Sequence, residues 1–60
     1  MSKQTRQRLL DLMVARIGHA QLAFRLQVPT SILRDWVEGK AAVPDAKVIA
    51  LIDLIDETAD

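Results

Sequence analysis

Sixty residues make one small domain, 1–60, and a chain this short buries only about 60% of its unfolded surface, leaving little interior for an enclosed active site. Eight Lys/Arg balance eight Asp/Glu, which argues against an indiscriminate polyanion binder, and the lack of cysteine excludes disulfides, thiolate metal sites and Cys nucleophiles together. The longest apolar run, Val48-Ile49-Ala50-Leu51-Ile52, falls far short of the ~20 residues of a membrane span, and no signal-like segment follows the polar N-terminus, so a cytoplasmic chain with no membrane partner is expected.

Two glycines and two prolines divide the chain into four helical stretches. The first is predicted over about 3–17, with Leu10, Met13, Val14 and Ile17 on its apolar side, Gln4, Arg8, Asp11 and Ala15 opposite, and Gly18 as its stop. The second, about 19–27, buries Leu22, Ala23 and Leu26. Pro29 blocks its continuation, because proline disfavours helical geometry at Val28 and is comfortable only in a first helical turn. The third runs over about 29–38, with Leu33, Trp36 and Val37 as its buried stripe, and ends at Gly39. A loop, Lys40-Ala41-Ala42-Val43, leads to the fourth, about 44–57, which starts at Pro44 beside a dipole-favouring Asp45 and buries Val48, Leu51, Ile52 and Ile55. Nothing alternates with the period of a strand. The expected fold class is all-α, a compact four-helix domain.

The zero net charge hides an asymmetry. Residues 1–40 carry seven bases (Lys3, Arg6, Arg8, Arg16, Arg25, Arg34, Lys40) against three acids (Asp11, Asp35, Glu38), a net +4. Residues 41–60 carry Lys47 against Asp45, Asp53, Asp56, Glu57 and Asp60, a net −4. Such a split suggests a basic working surface and an acidic, solubilising end.

The informative segment is His19 to Trp36, two short helices across a tight connection. Ala23 is small where the next helix must cross closely, Val28 plugs the turn, and Leu33 and Trp36 lock the second helix onto the first. Thr30, Ser31, Arg34 and Asp35 then cluster on the outward face, at the end that enters the major groove in helix-turn-helix proteins.

These residues resemble the phage repressor/Cro-like helix-turn-helix superfamily of bacterial and phage regulators. Its pattern is close to Gln-x-x-Leu-Ala-x-x-Leu-Gly-Val-Ser-x-x-x-Ile-x-x-Trp-x-x-Gly-Lys, followed by a proline and another apolar helix. The chain offers His19-x-x-Leu22-Ala23-x-x-Leu26-Gln27-Val28-Pro29-x-x-x-Leu33-x-x-Trp36-x-x-Gly39-Lys40, then Pro44 and Val48 to Ile55. The match spans 19–55. It departs from the family in three ways. Gln27 stands at the turn glycine, so the turn either reaches a left-handed conformation without glycine or takes another form. His19 stands at the usual glutamine, and the chain has four helices where many relatives have five.

The resemblance implies a DNA-binding, repressor-like transcription regulator acting on double-stranded DNA, with the third helix in the major groove. It implies that Thr30, Ser31, Arg34 and Asp35 face bases, and that His19 and Lys40 face the phosphate backbone. Arg34 suits the O6 and N7 edge of guanine, and Asp35 could accept from cytosine N4. Arg6, Arg8 and Arg25 are further phosphate candidates from charge alone. The competing class is a helical protein–protein interaction module or adaptor on the same scaffold without DNA binding.

Plainer readings stand beside these. Trp36 reads first as core. His19 is the single histidine and serves as well as a solvated first-turn residue. Arg34 and Glu38, four apart, could neutralise each other across the helix surface. No nucleophile–base pair, phosphate-binding glycine loop or metal-ligand spacing is present, so neither an enzyme nor a cofactor, metal or small-molecule substrate is expected. Leu9 and Leu12 on the first helix, and Ile49 and Leu54 on the fourth, widen the apolar arcs beyond one contact. Those helices either cover each other or support a homodimer.

Overall fold

The computed structural model describes residues 3–58, so the contribution of Asp60 to the acidic end lies outside the described residues. Four helices, α1 (Lys3–Ile17), α2 (His19–Leu26), α3 (Thr30–Val37) and α4 (Asp45–Thr58), hold 45 of these 56 residues, and no strand occurs among them. The radius of gyration is 10.2 Å, matching the roughly 10 Å expected of a compact chain of this length. The fold is all-α and compact.

Each connection follows from one residue's backbone. Gly18 ends α1, donating its N–H to the Val14 carbonyl at 2.8 Å, and begins α2, accepting from the Leu22 N–H at 3.1 Å. It serves both helices because it sits at φ 86°, ψ 164°, a region essentially reserved for glycine.

The end of α2 settles the turn question raised by Gln27. That residue is left-handed, at φ 59° and ψ 45°, although it is not glycine. The Val28 N–H reaches back to the Ala23 carbonyl at 3.0 Å and the Gln27 N–H to Phe24 at 3.1 Å, the paired bonds of a Schellman motif. Val28, the next residue, packs against the core as expected of a turn plug. The end of α3 repeats the motif with Gly39 at φ 79°: Lys40 N–H bonds to Asp35 at 2.8 Å, and Gly39 N–H to Trp36 at 3.2 Å.

Both prolines stand one residue before their helices rather than inside the first turn. Pro29 is extended, at φ −61° and ψ 147°, and its carbonyl accepts from Ile32 and Leu33. Pro44 does the same for Lys47 and Val48. Proline supplies the fixed φ and gives up no needed donor, so it opens the helix from outside.

The core is Leu10, Met13, Leu22, Ala23, Leu26, Leu33, Trp36, Val43, Val48, Leu51 and Leu54, with Leu9, Val14, Ile17, Val28, Val37, Ala50 and Ile55 packed on it. Trp36 is core, as read. Two expectations need correction. Val43 lies in the loop before α4, as expected, but it belongs to the buried core, which the expected core residues do not include. On α4 Leu54 is buried while Ile52 stays 37% exposed, the reverse of the predicted stripe. The cause is the side of α4 that faces α2. Lys47 Nζ donates to the Leu26 carbonyl at 2.8 Å, and Glu57 pairs with Arg25. Lys47 and Leu54 are seven apart on one helix face, so the contacts that turn Lys47 toward α2 carry Leu54 inward and leave Ile52 at the opposite edge.

Polar side chains of α1 and α4 also close other elements. Gln7 Nε2 donates to the Val37 carbonyl at 2.6 Å, and Arg6 Nη1 to the Val43 carbonyl at 2.7 Å. Gln7 on Val37 and Lys47 on Leu26 satisfy carbonyls at the ends of α3 and α2 that the helices cannot satisfy internally, while Arg6 holds the carbonyl of the loop residue Val43.

Candidate nucleic-acid interface

Because Leu33 and Trp36 point into the core, the remaining arc of α3 faces outward. Thr30, Ser31, Arg34, Asp35 and Glu38 line one shallow surface depression of about 500 Å³. A smaller one of about 270 Å³ adjoins it, lined by His19, Arg34, Val37 and Glu38. Arg34 and Glu38 belong to both, so the arginine stands between the α3 face and the start of α2.

The four base-facing candidates therefore share one surface, and His19 stands beside it through Arg34. Neither α2 nor α3 has a side-chain cap or an acid in its first turn. The first amides of both helices are thus left without a competing carboxylate, on the sides where His19, Thr30 and Ser31 lie.

The charges are arranged differently from the simplest expectation. Arg34 and Glu38 do not neutralise each other. Glu38 pairs across Gly39 with Lys40, Nζ to Oε2 3.0 Å, because the left-handed glycine reverses the chain and brings residues two apart to one side. The Glu38 hydrogen bond, and then its charge, raise the Lys40 ammonium above the ordinary lysine value. Among the described residues no ion pair engages Arg34. The depression thus presents one unpaired guanidinium, two hydroxyls and two carboxylates, Asp35 being half-buried and Glu38 exposed.

The remaining phosphate candidates lie apart from this surface. Arg6 is held by Val43 and by Asp45, whose Oδ1 is 2.6 Å from its Nη2. Its guanidinium clamps α1 to the start of α4. Arg25 is paired with Glu57 of α4. Arg8 is exposed on the outer side of α1 and lines neither depression. Glu38 is the lining residue that spacing alone cast only as a partner for Arg34; the Glu-Gly-Lys turn at 38–40 was the signal that it belongs at this edge.

Among the described residues no group of His, Cys, Asp and Glu could hold a metal ion, and no helix is long and apolar enough to cross a membrane. Compared with protein-family models, curated proteins and solved structures, the chain matches none.

Proposed function

We propose that this chain is a small, non-enzymatic helix-turn-helix regulator that binds double-stranded DNA with α3 in the major groove. One observation carries the reading: Thr30, Ser31, Arg34 and Asp35 share one exposed face, and the arginine among them is held by no carboxylate. Arg34 pairs with a guanine edge, while Asp35 accepts from cytosine N4 and, with Glu38, repels misplaced phosphates and so fixes register. His19 and the uncapped start of α2 meet one backbone strand, and Lys40 meets it beyond the end of α3.

With Arg6 and Arg25 tied to α4, few phosphates are neutralised. Two or three contacts give a salt slope of roughly −2 to −3 in log K against log salt, so binding is weak and shallowly salt-dependent. The test is an NMR titration with mixed-sequence duplex at low salt. Shifts confined to Thr30–Asp35, His19 and Lys40 support the proposal. An Arg34→Ala chain should lose about 1–3 kcal/mol of discrimination at a single base position. A chain whose resonances do not move with any duplex is not a DNA-binding protein.

A second reading, a protein-interaction module on the same scaffold, is favoured by Phe24. This side chain on α2 is 76% exposed, an unusual place for the chain's single phenylalanine. Under that reading Phe24→Ser abolishes partner binding and Arg34→Ala leaves it intact.

A further inference from the structure

The outer faces of α1 and α4 carry apolar residues that no other described residue covers. On α1, Leu12 is 40% exposed, one turn from Arg8 on one side and Arg16 on the other. On α4, Ile49 is 63% exposed and Ile52 lies beside it, with Asp53 and Asp56 on the same face. All four flanking charges are exposed, and among the described residues none is in an ion pair. The two helices therefore present stripes of opposite sign around similar apolar centres.

We infer that the occupant of each stripe is the other stripe on a second copy of this chain, giving a two-fold dimer with α1 of each protomer on α4 of its partner. Charge selects this arrangement over the alternatives. A dimer built on α4 against α4 would face Asp53 and Asp56 with themselves, and one built on α1 would oppose Arg8 and Arg16 in the same way. With α1 and the partner's α4 running in the same direction, as the Arg6–Asp45 contact near the starts of both helices favours, seating Leu12 on Ile49 and Ile52 brings Arg16, one turn further along α1, to Asp56, one turn further along α4. Since α1 and α4 are neighbours in the bundle, a two-fold axis running between them makes both contacts at once and closes the assembly.

The size also fits. The chain exposes 3975 Å², and a stable interface needs about 800 Å² from each partner, about a fifth of that surface. One helix face of this length is too small, but two side by side suffice. The dimer does not depend on the DNA-binding reading: the stripes exclude every residue of the α3 face, and Arg8, a phosphate candidate from charge alone, lines neither depression there.

Sedimentation velocity over rising concentration, without DNA, is the test. The native chain is expected to pass from one copy to two. Arg16→Asp and Asp56→Arg each replace an attraction by a repulsion at both symmetry-related contacts, so each variant alone should remain monomeric. Mixed in equal amounts they should form a one-to-one dimer, because both contacts again pair opposite charges. Circular dichroism checks that these surface variants keep the native helix content, and Ile49→Lys serves as an independent disruption. A native chain that stays monomeric at about 1 mM, a dimer unaltered by the single reversals, or a mixture that fails to associate would each overturn the inference.

Discussion

Replacing Gln27 by glycine should make the protein more stable, although it removes a side chain. Gln27 is the one non-glycine residue with positive φ among the described residues. A side chain at φ 59°, ψ 45° crowds Cβ against the carbonyl that follows, at roughly 1–2 kcal/mol. Glycine removes that strain but adds about 0.5–1 kcal/mol of backbone entropy to be lost on folding. The side chain itself is exposed and donates or accepts no hydrogen bond among the described residues, so its loss forfeits nothing else. The expected net gain is therefore about 0.5–1 kcal/mol, or roughly 2–8 °C in Tm for a domain of this size. Gln27→Ala, which keeps Cβ, should be nearly neutral, and Gln27→Val should destabilise because a β-branched residue is poorly tolerated there. Urea and thermal unfolding followed by circular dichroism measure all three. Should Gln27→Gly prove destabilising with an unchanged urea m value, the assignment of left-handed strain at this turn is wrong.

Gly18→Ala isolates backbone strain from packing. No atom lies within 4 Å of the added Cβ, yet φ 86° should cost about 1–3 kcal/mol in urea unfolding. Lys47→Met keeps the aliphatic stem but removes the donor to the Leu26 carbonyl, so a loss of about 1–2 kcal/mol is expected, with hydrogen exchange increased at the end of α2. Glu57→Gln releases Arg25 at a cost below about 1 kcal/mol, since the pair is exposed. If Arg25 then reaches a phosphate, the salt slope of DNA binding measured by fluorescence anisotropy steepens by about 1.

What the sequence discloses and what it withholds divide along contact range. Gly18, Pro29, Gly39 and Pro44 act through their own dihedral angles, so the helices they delimit are legible to within a residue or two. The same holds for Leu22, Ala23 and Leu26 on α2, and for Leu33 and Trp36 on α3, where each short helix has one apolar side. α4 is apolar on more than one side, so its rotation depends on α2, and spacing cannot choose between Ile52 and Leu54. Val43 is missed for a related reason: a single apolar residue between Ala42 and Pro44 has no period to reveal it.

The candidate site follows the same rule. Thr30, Ser31, Arg34 and Asp35 belong to one helix, and their common face follows from α-helical geometry once the buried stripe is known. Their separation from Arg6 and Arg25 does not, because those arginines find Asp45 and Glu57 at distances of 39 and 32 residues along the chain. An unpaired arginine and a paired one look alike in a list of charges.

Those two ion pairs change what the neutral total means. A +4 segment followed by a −4 segment suggests a basic face and an acidic face, each addressed to a different partner. Instead Arg6–Asp45 and Arg25–Glu57 cross the division and join the two halves of the chain. Being exposed, each pair contributes little to stability, at most about 1 kcal/mol. Their larger consequence is to withdraw two guanidinium groups from any polyanion. What remains at the α3 surface is Arg34, with His19 beside it and Lys40 shared with Glu38. A DNA complex formed there would depend less on phosphate charge than on one base-reading side chain, so its sequence preference should fade slowly with added salt while an Arg34→Ala change removes it. A cluster of unpaired lysines and arginines would give the opposite pattern: tight binding at low salt and little regard for sequence.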